Sequence, residues 1–283
     1  VNDEPIMIPA SSIFLTLKRF CFMKQVLVIL LLAAVSCNNA PEKEALAMSG
    51  AYSMLSQSVK GEKIDTSYSD LKQLKIFTGD HMMYTNVNPA DSVSSFGVGT
   101  YNSNMDTITE TALYNASDSS ASDSTRSFHL TIEKTAKGYK QIIPEIGTGE
   151  QKIKLTEEYE TVGTKATSPL DGLWKMTKAY NIKGTDTSNN DATQYKMYNA
   201  GHFMFGHTWA DSTKKLHTGT GFGTFTMEGT TKVKESVTAS TYYEIRGQSF
   251  DIEIEMTGTD EFKQILTNKD GTKNVEFYQR VKK

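Results

Sequence analysis

SFDIEIEM (249–256) decides how this chain folds. Phe250, Ile252, Ile254 and Met256 fall on one side of an extended backbone, and Asp251, Glu253 and Glu255 fall on the other. A period of two marks a half-buried antiparallel strand. The pattern also occurs 122 residues earlier as SFHLTIEK (127–134), with Phe128, Leu130 and Ile132 set against His129, Thr131 and Glu133. One stretch thus indicates both strand structure and a repeat.

The repeat extends outward in both directions. KIFTGDHMMY (75–84) answers to KMYNAGHFMF (196–205), GAY (50–52) to GLW (172–174), and FGVGTY (96–101) to TGFGTF (220–225). Glu110 answers to Glu235, KQI (140–142) to KQI (263–265), and EEYETV (157–162) to EFYQRV (276–281), the offset staying between 119 and 125. Each copy is far longer than a solenoid unit and should form its own domain. The expected units are 48–163 and 170–283, joined by a linker at 164–169 within the Gly, Thr, Ser and Pro stretch GTKATSPLDG (163–172). Turn clusters such as KGTDTSNND (183–191) and NKDGTK (268–273) recur, and no long helical period appears after residue 48. The expectation is an all-β chain of two tandem antiparallel barrels with roughly eight strands each, since closure removes exposed sheet edges. NASDSSASDSTR (115–126) reads by composition as a polar, mobile loop.

The N-terminal region has a different composition. From Met23 the chain runs MKQVLVILLLAAVSCNNA (23–40): a lysine, an apolar run, small residues and a cysteine. This is the layout of a secretory signal, and its apolar run is about half the ~20 residues a spanning helix needs. Ala34-Val35-Ser36-Cys37 resembles the lipobox of bacterial lipoproteins, in which the cysteine is lipid-modified. The expected organisation is an overextended start at 1–22, a signal peptide at 23–36 and a lipidated tether at 37–47. It implies a cell-envelope protein, anchored at Cys37 and placed at the outer membrane.

Composition excludes several classes of activity. The formal charge is −3, with 27 basic and 31 acidic residues left after residue 36, so the chain lacks the basic stripe of a nucleic-acid binder. Cys21 and Cys37 are its only cysteines, which excludes a disulfide framework and a thiolate zinc site.

Each half is similar to the lipocalin-like domains of secreted bacterial lipoproteins. Their pattern of G-x-W, a lysine before Gly-His/Arg-Phe, G-x-G-x-aromatic, a glutamate and a closing Tyr-x-Arg is carried in the second copy. It appears there as Gly172, Trp174, Lys196, Gly201, His202, Phe203, Gly221, Gly223, Phe225, Glu235, Tyr278 and Arg280. The first copy departs from the pattern with Tyr52, Asp80 and Thr161 in place of Trp174, Gly201 and Arg280, as a degenerate or purely structural copy would. The resemblance implies that Trp174 packs under Arg280 and closes the barrel.

Candidate sites follow from the strand pattern. His202 and His207 alternate onto opposite faces and His217 has no counterpart in the first copy, so no metal site and no cofactor is expected. Phe203, Phe205, Trp209, Phe222 and Phe225 come from adjoining strands and fit two roles, filling a small barrel or lining a cavity for a small, partly apolar ligand. Trp209, beyond the alternating run, is the one placed to touch a ligand. Glu235 shares an apolar face with Val233 and Val237, where a carboxylate is costly unless paired. Its natural partner is Arg280 or a tyrosine hydroxyl, and it could anchor a ligand's polar group or act as a general base. No nucleophile elbow or phosphate loop is present, so the expectation is a binding protein rather than an enzyme. The alternative is an interaction lipoprotein with filled barrels and an unidentified protein partner.

Overall fold

The computed structural model describes residues 48–282, apart from 89–92, 118–119, 124, 148, 150–151 and 165–167. The signal segment and Cys37 lie outside the described residues. The first half consists of β1 (Gly50–Gly61), β2 (Asp65–Tyr68), β3 (Lys72–Thr78), β4 (His81–Asn88), β5 (Val93–Asn104), β6 (Thr107–Ser117), β7 (Ser120–Asp123), β8 (Ser127–Lys134), β9 (Gly138–Ile146) and β10 (Ile153–Gly163). The second half consists of β11 (Gly172–Lys183), β12 (Asp186–Asn189), β13 (Thr193–Asn199), β14 (His202–Ala210), β15 (Leu216–Glu228), β16 (Lys232–Ser240), β17 (Ser249–Met256), β18 (Glu261–Thr267) and β19 (Lys273–Arg280).

All pairings are antiparallel. β1 pairs with β10 and β11 pairs with β19, so each half closes into a barrel of eight strands. The short strands β2 and β12 lie as flaps along the far ends of β1 and β11. The chain is all-β, with two closed barrels in tandem. The segment at 115–126 is not a plain loop: β6 runs on to Ser117 and β7 folds back on it, pairing Asn115 with Ser122 and Ala116 with Ala121. Hairpin pairing satisfies the backbone there despite the polar composition. In the second half the corresponding stretch is a single 3-10 turn at Tyr243–Ile245.

The G-x-G motif has a packing explanation. The register slips between Val98 and Gly99 and between Phe222 and Gly223, the same point in each barrel. There a Cβ on Gly99 would run into the carbonyl of Thr111, and one on Gly223 into that of Ser236. Only glycine permits so close an approach between strands at the bulge.

Three apolar clusters hold the fold together. One fills the first barrel around Phe77, Tyr139 and Tyr159, and another fills the second around Trp174, Phe203 and Phe262. The third lies between the barrels, where Leu74, Ile76, Met83 and Phe96 meet Tyr195, Met197, Met204 and Phe222. β3 and β13 therefore show five consecutive buried residues each, because one face looks into a barrel and the other is covered by its neighbour. Burying a large apolar side chain contributes about 1.5–3 kcal/mol, so this shared layer stabilises both halves together. Polar contacts fix its register: Tyr114 and Thr208 hydroxyls meet at 2.7 Å, Asn199 donates to the Phe77 carbonyl at 2.6 Å, and Thr218 donates to the Ser117 carbonyl at 2.8 Å. Gly206 lies against the ring of Phe96, which a Cβ would overlap.

Candidate functional site

Inward positions on four strands of each barrel carry polar side chains that join into one chain of contacts. In the first barrel Lys75 on β3 forms an ion pair with Glu110 on β6 at 2.5 Å and donates to Gln141 on β9 at 3.0 Å. Gln141 donates to Glu157 on β10 at 2.5 Å, and Glu157 also accepts from the Tyr159 hydroxyl and from Gln57, both at 2.9 Å. Gln73, back on β3, donates to the Tyr159 oxygen at 2.6 Å and closes the circuit.

The second barrel repeats it, except for the bond from Gln57. Lys196 pairs with Glu235 at 2.8 Å and donates to Gln264 at 3.1 Å, Gln264 donates to Glu276 at 2.7 Å, and Tyr278 joins Glu276 to Gln194. All these groups but the partly buried Gln57 and Glu276 are buried. An unpaired buried charge costs several kcal/mol, so each ion pair survives only because the amides and hydroxyl complete its surroundings. Burial, reinforced by the neighbouring glutamates, pushes the Tyr159 and Tyr278 hydroxyls well above the usual tyrosine range, so both stay protonated donors.

The surroundings of the two chains differ. In the second barrel the Tyr198 hydroxyl donates to Glu235 at 2.5 Å, whereas the matching residue in the first barrel is Phe77. Glu110 Oε1 is buried and without an aligned hydrogen bond, the Lys75 contact being ionic only. Beyond the network the second barrel is packed with rings. His207 stacks on Phe205 at 6.0 Å and accepts or donates a 2.6 Å bond with the Tyr242 hydroxyl, and Trp209 stacks on His217 at 5.3 Å. Burial lowers His207 to about 4, so its imidazole is neutral at neutral pH. The first barrel has Asn86, Ser95 and Ala112 where the second has His207, Gly219 and Val237.

A cavity of about 570 Å³ opens there, floored by Lys75, Glu110, Gln141 and Glu157 and rimmed by Ser117, Ser120, Ser122 and Arg126. Asn86 Oδ1 is a second buried, unpartnered acceptor on its wall. Burial, then Glu157 and Glu110, push the Tyr84 hydroxyl on the same wall up to about 12. A groove of about 720 Å³ on β17 and β18 of the second barrel is larger, but its lining includes none of the network residues.

The residues singled out from the sequence fall in several places. Phe203 and Phe225 are buried in the core of the second barrel and Phe205 is packed against it, while Trp209 lies half-buried at its ring-filled end. Phe222 is not in that set: it lies three residues from Phe225 on β15, so alternation turns it to the outer face, into the layer between the barrels. Glu235 does face the lumen, but its cation is Lys196 and not Arg280, whose guanidinium binds the Asp171, Pro169 and Thr259 carbonyls instead. Arg280 stacks over Trp174 at 4.0 Å, and the Trp174 indole donates to the Leu170 carbonyl at 2.6 Å. The cavity floored by the network lies in the first barrel, and Trp209 lines a separate cleft of about 510 Å³ with Tyr114, Thr208 and Leu216. Sequence reasoning passed over Gln73, Lys75, Gln141 and Glu157 as site residues. The available signal was that these polar residues recur as Gln194, Lys196, Gln264 and Glu276 at inward-alternating positions.

No group of three or more metal-ligating side chains converges among the described residues. No family model matches this chain, and no curated protein matches it either.

Proposed function

We propose that this chain is a binding protein that takes one small, partly apolar molecule into its first barrel. The observation that carries this is the cavity of about 570 Å³ floored by the Lys75–Glu110 pair. That volume is in the range of small-molecule sites, as is a wall mixing Met82, Val98 and Phe128 with a few convergent polar groups. The arrangement favours holding over catalysis, because Glu157 is occupied by three donors and Glu110 is held against Lys75. The second barrel then acts as a filled support, which carries over the idea of a solid interaction module to that half alone.

Barrel closure, with Arg280 over Trp174, supports the lipocalin-like resemblance. The lipobox-like Ala34–Cys37 run supports export and lipid anchoring at Cys37, at the outer membrane of the cell envelope.

Native mass spectrometry of protein purified from its source is the test. A retained mass is expected, and it should disappear in Ala112→Leu, which fills the cavity, but persist in Val237→Ala in the second barrel. Retention unaffected by Ala112→Leu would remove the first barrel as the site.

A further inference from the structure

The ligand's chemistry can be argued from which groups in the first barrel lack partners. In the second barrel the Lys–Glu pair is completed by the Tyr198 hydroxyl, an internal donor to the carboxylate. The first barrel has Phe77 in that place, and its Glu110 Oε1, on a residue 6% exposed, faces the cavity without a hydrogen bond. Asn86 Oδ1 is in the same condition. Asn86 Oδ1 has no donor, and Glu110 Oε1, which faces the Lys75 ammonium, has one donor fewer than its counterpart Glu235 Oε1.

The charge of the cavity limits what those donors can belong to. Lys75 lies 2.5 Å from Glu110, so an ammonium brought to that carboxylate would sit beside a like charge. An anion would meet Glu110 and Glu157 on the same floor. Two carboxylates, Glu110 and Glu157, are balanced along the lining by Lys75 and Arg126, and a cavity without net charge suits neutral hydroxyl or amide donors. Gln57, Gln73, Asn115 and Ser95 add amide and hydroxyl groups around the wall, and Tyr84 and Phe128 add rings suited to a C–H face.

We propose, resting on the reading of the first barrel as a binding site, that its ligand is a neutral polyhydroxylated molecule, a sugar or the sugar end of a glycoside. One hydroxyl donates to Glu110 in the position that the Tyr198 oxygen occupies in the second barrel, and a second reaches Asn86.

Ligand-observed saturation-transfer NMR on the full chain tests this with three kinds of probe: glucose, maltose and maltohexaose as neutral sugars, spermidine as a cation, and laurate as an apolar anion. At least one sugar should bind, and Phe77→Tyr, which supplies the missing hydroxyl from within, should weaken that sugar about tenfold or more. Tyr198→Phe, the reverse change in the filled barrel, should leave sugar binding unchanged. Sugar binding as tight in Phe77→Tyr as in the parent overturns the proposal. Laurate or spermidine displaced by Ala112→Leu, with no sugar bound, overturns the ligand class and leaves the binding reading standing. If no probe binds and Ala112→Leu changes nothing, both fall.

Discussion

Asn86, Ser95 and Ala112 in the first barrel stand where His207, Gly219 and Val237 stand in the second, and around these exchanges one lumen is open and the other packed. Below them the polar chain is the same in both, from Lys75 and Lys196 through to Gln73 and Gln194. A network present in the filled barrel cannot owe its existence to a ligand. Its common task is to tie β3, β6, β9 and β10, and likewise β13, β16, β18 and β19, across the lumen at fixed register. Whatever distinguishes the first barrel lies in the side chains above the network and in the one hydroxyl that separates Phe77 from Tyr198.

The largest effect should come from breaking an ion pair where no cavity can admit water. Lys196→Met leaves Glu235 buried without its cation and should cost about 4 kcal/mol in denaturant unfolding. Lys75→Met should cost clearly less, because the cavity can hydrate Glu110. Equal losses would mean that the open lumen gives the carboxylate no relief.

Next come the fillers: Phe203→Ala empties a ring-packed site and should cost about 3–4 kcal/mol, whereas Met82→Ala, its counterpart beside existing space, should cost nearer 2 kcal/mol. Calorimetric melting of the two variants checks the ranking, which reverses if the second lumen is looser than its stacked rings indicate.

A pH dependence separates the halves in a third way. His207 is held neutral at about 4 in the fold against an ordinary value of 6.5, so the unfolded chain takes up its proton first. The stability this gives is complete above pH 6.5 and is lost as pH falls toward 4, by about 3 kcal/mol. His207→Gln should flatten that part of the pH–stability curve, and an unchanged slope would assign the acid sensitivity elsewhere. Asn86, which does not titrate, gives the first barrel no such loss.

The smallest effect belongs to the layer that both halves share. Gly206→Ala sets a methyl into the Phe96 ring and should cost about 1–2 kcal/mol. Unfolding of both barrels should remain one transition. Two separate transitions would show that the layer does not couple them.

Much of this fold could be read from the sequence because period-two alternation and a near-constant offset are both local to the string. SFDIEIEM and SFHLTIEK carry the strand pattern, and their spacing carries the duplication. The site was harder to read. Phe203, Phe205 and Phe225 drew attention as apolar bodies, but whether a ring lines space or fills it depends on what faces it across the lumen, which spacing along one strand does not encode. Phe222 was grouped with Phe225, although three residues along one regular strand set the two on opposite faces. Glu235 was correctly placed inside, yet its cation came from Lys196, a residue visible only as a pattern landmark until β13 and β16 faced one another. The cavity in the first copy hid behind its departures from the pattern, since asparagine, serine and alanine look like erosion when they are in fact what leaves room.

The apolar layer between the barrels is built from corresponding strands of the two copies. Leu74, Ile76, Met83 and Val98 on one side correspond in the repeat to Tyr195, Met197, Met204 and Phe222 on the other. Equivalent strands meet within a single chain, β3 on β13, β4 on β14 and β5 on β15, though β4 also packs on β11 and β15 more closely than β14 packs on β1 and β5. Joining the copies makes their pairing independent of concentration. It also fixes the stoichiometry, so that every hollow barrel is delivered with one solid companion, and each copy can change its lumen without any need to remain its partner's twin.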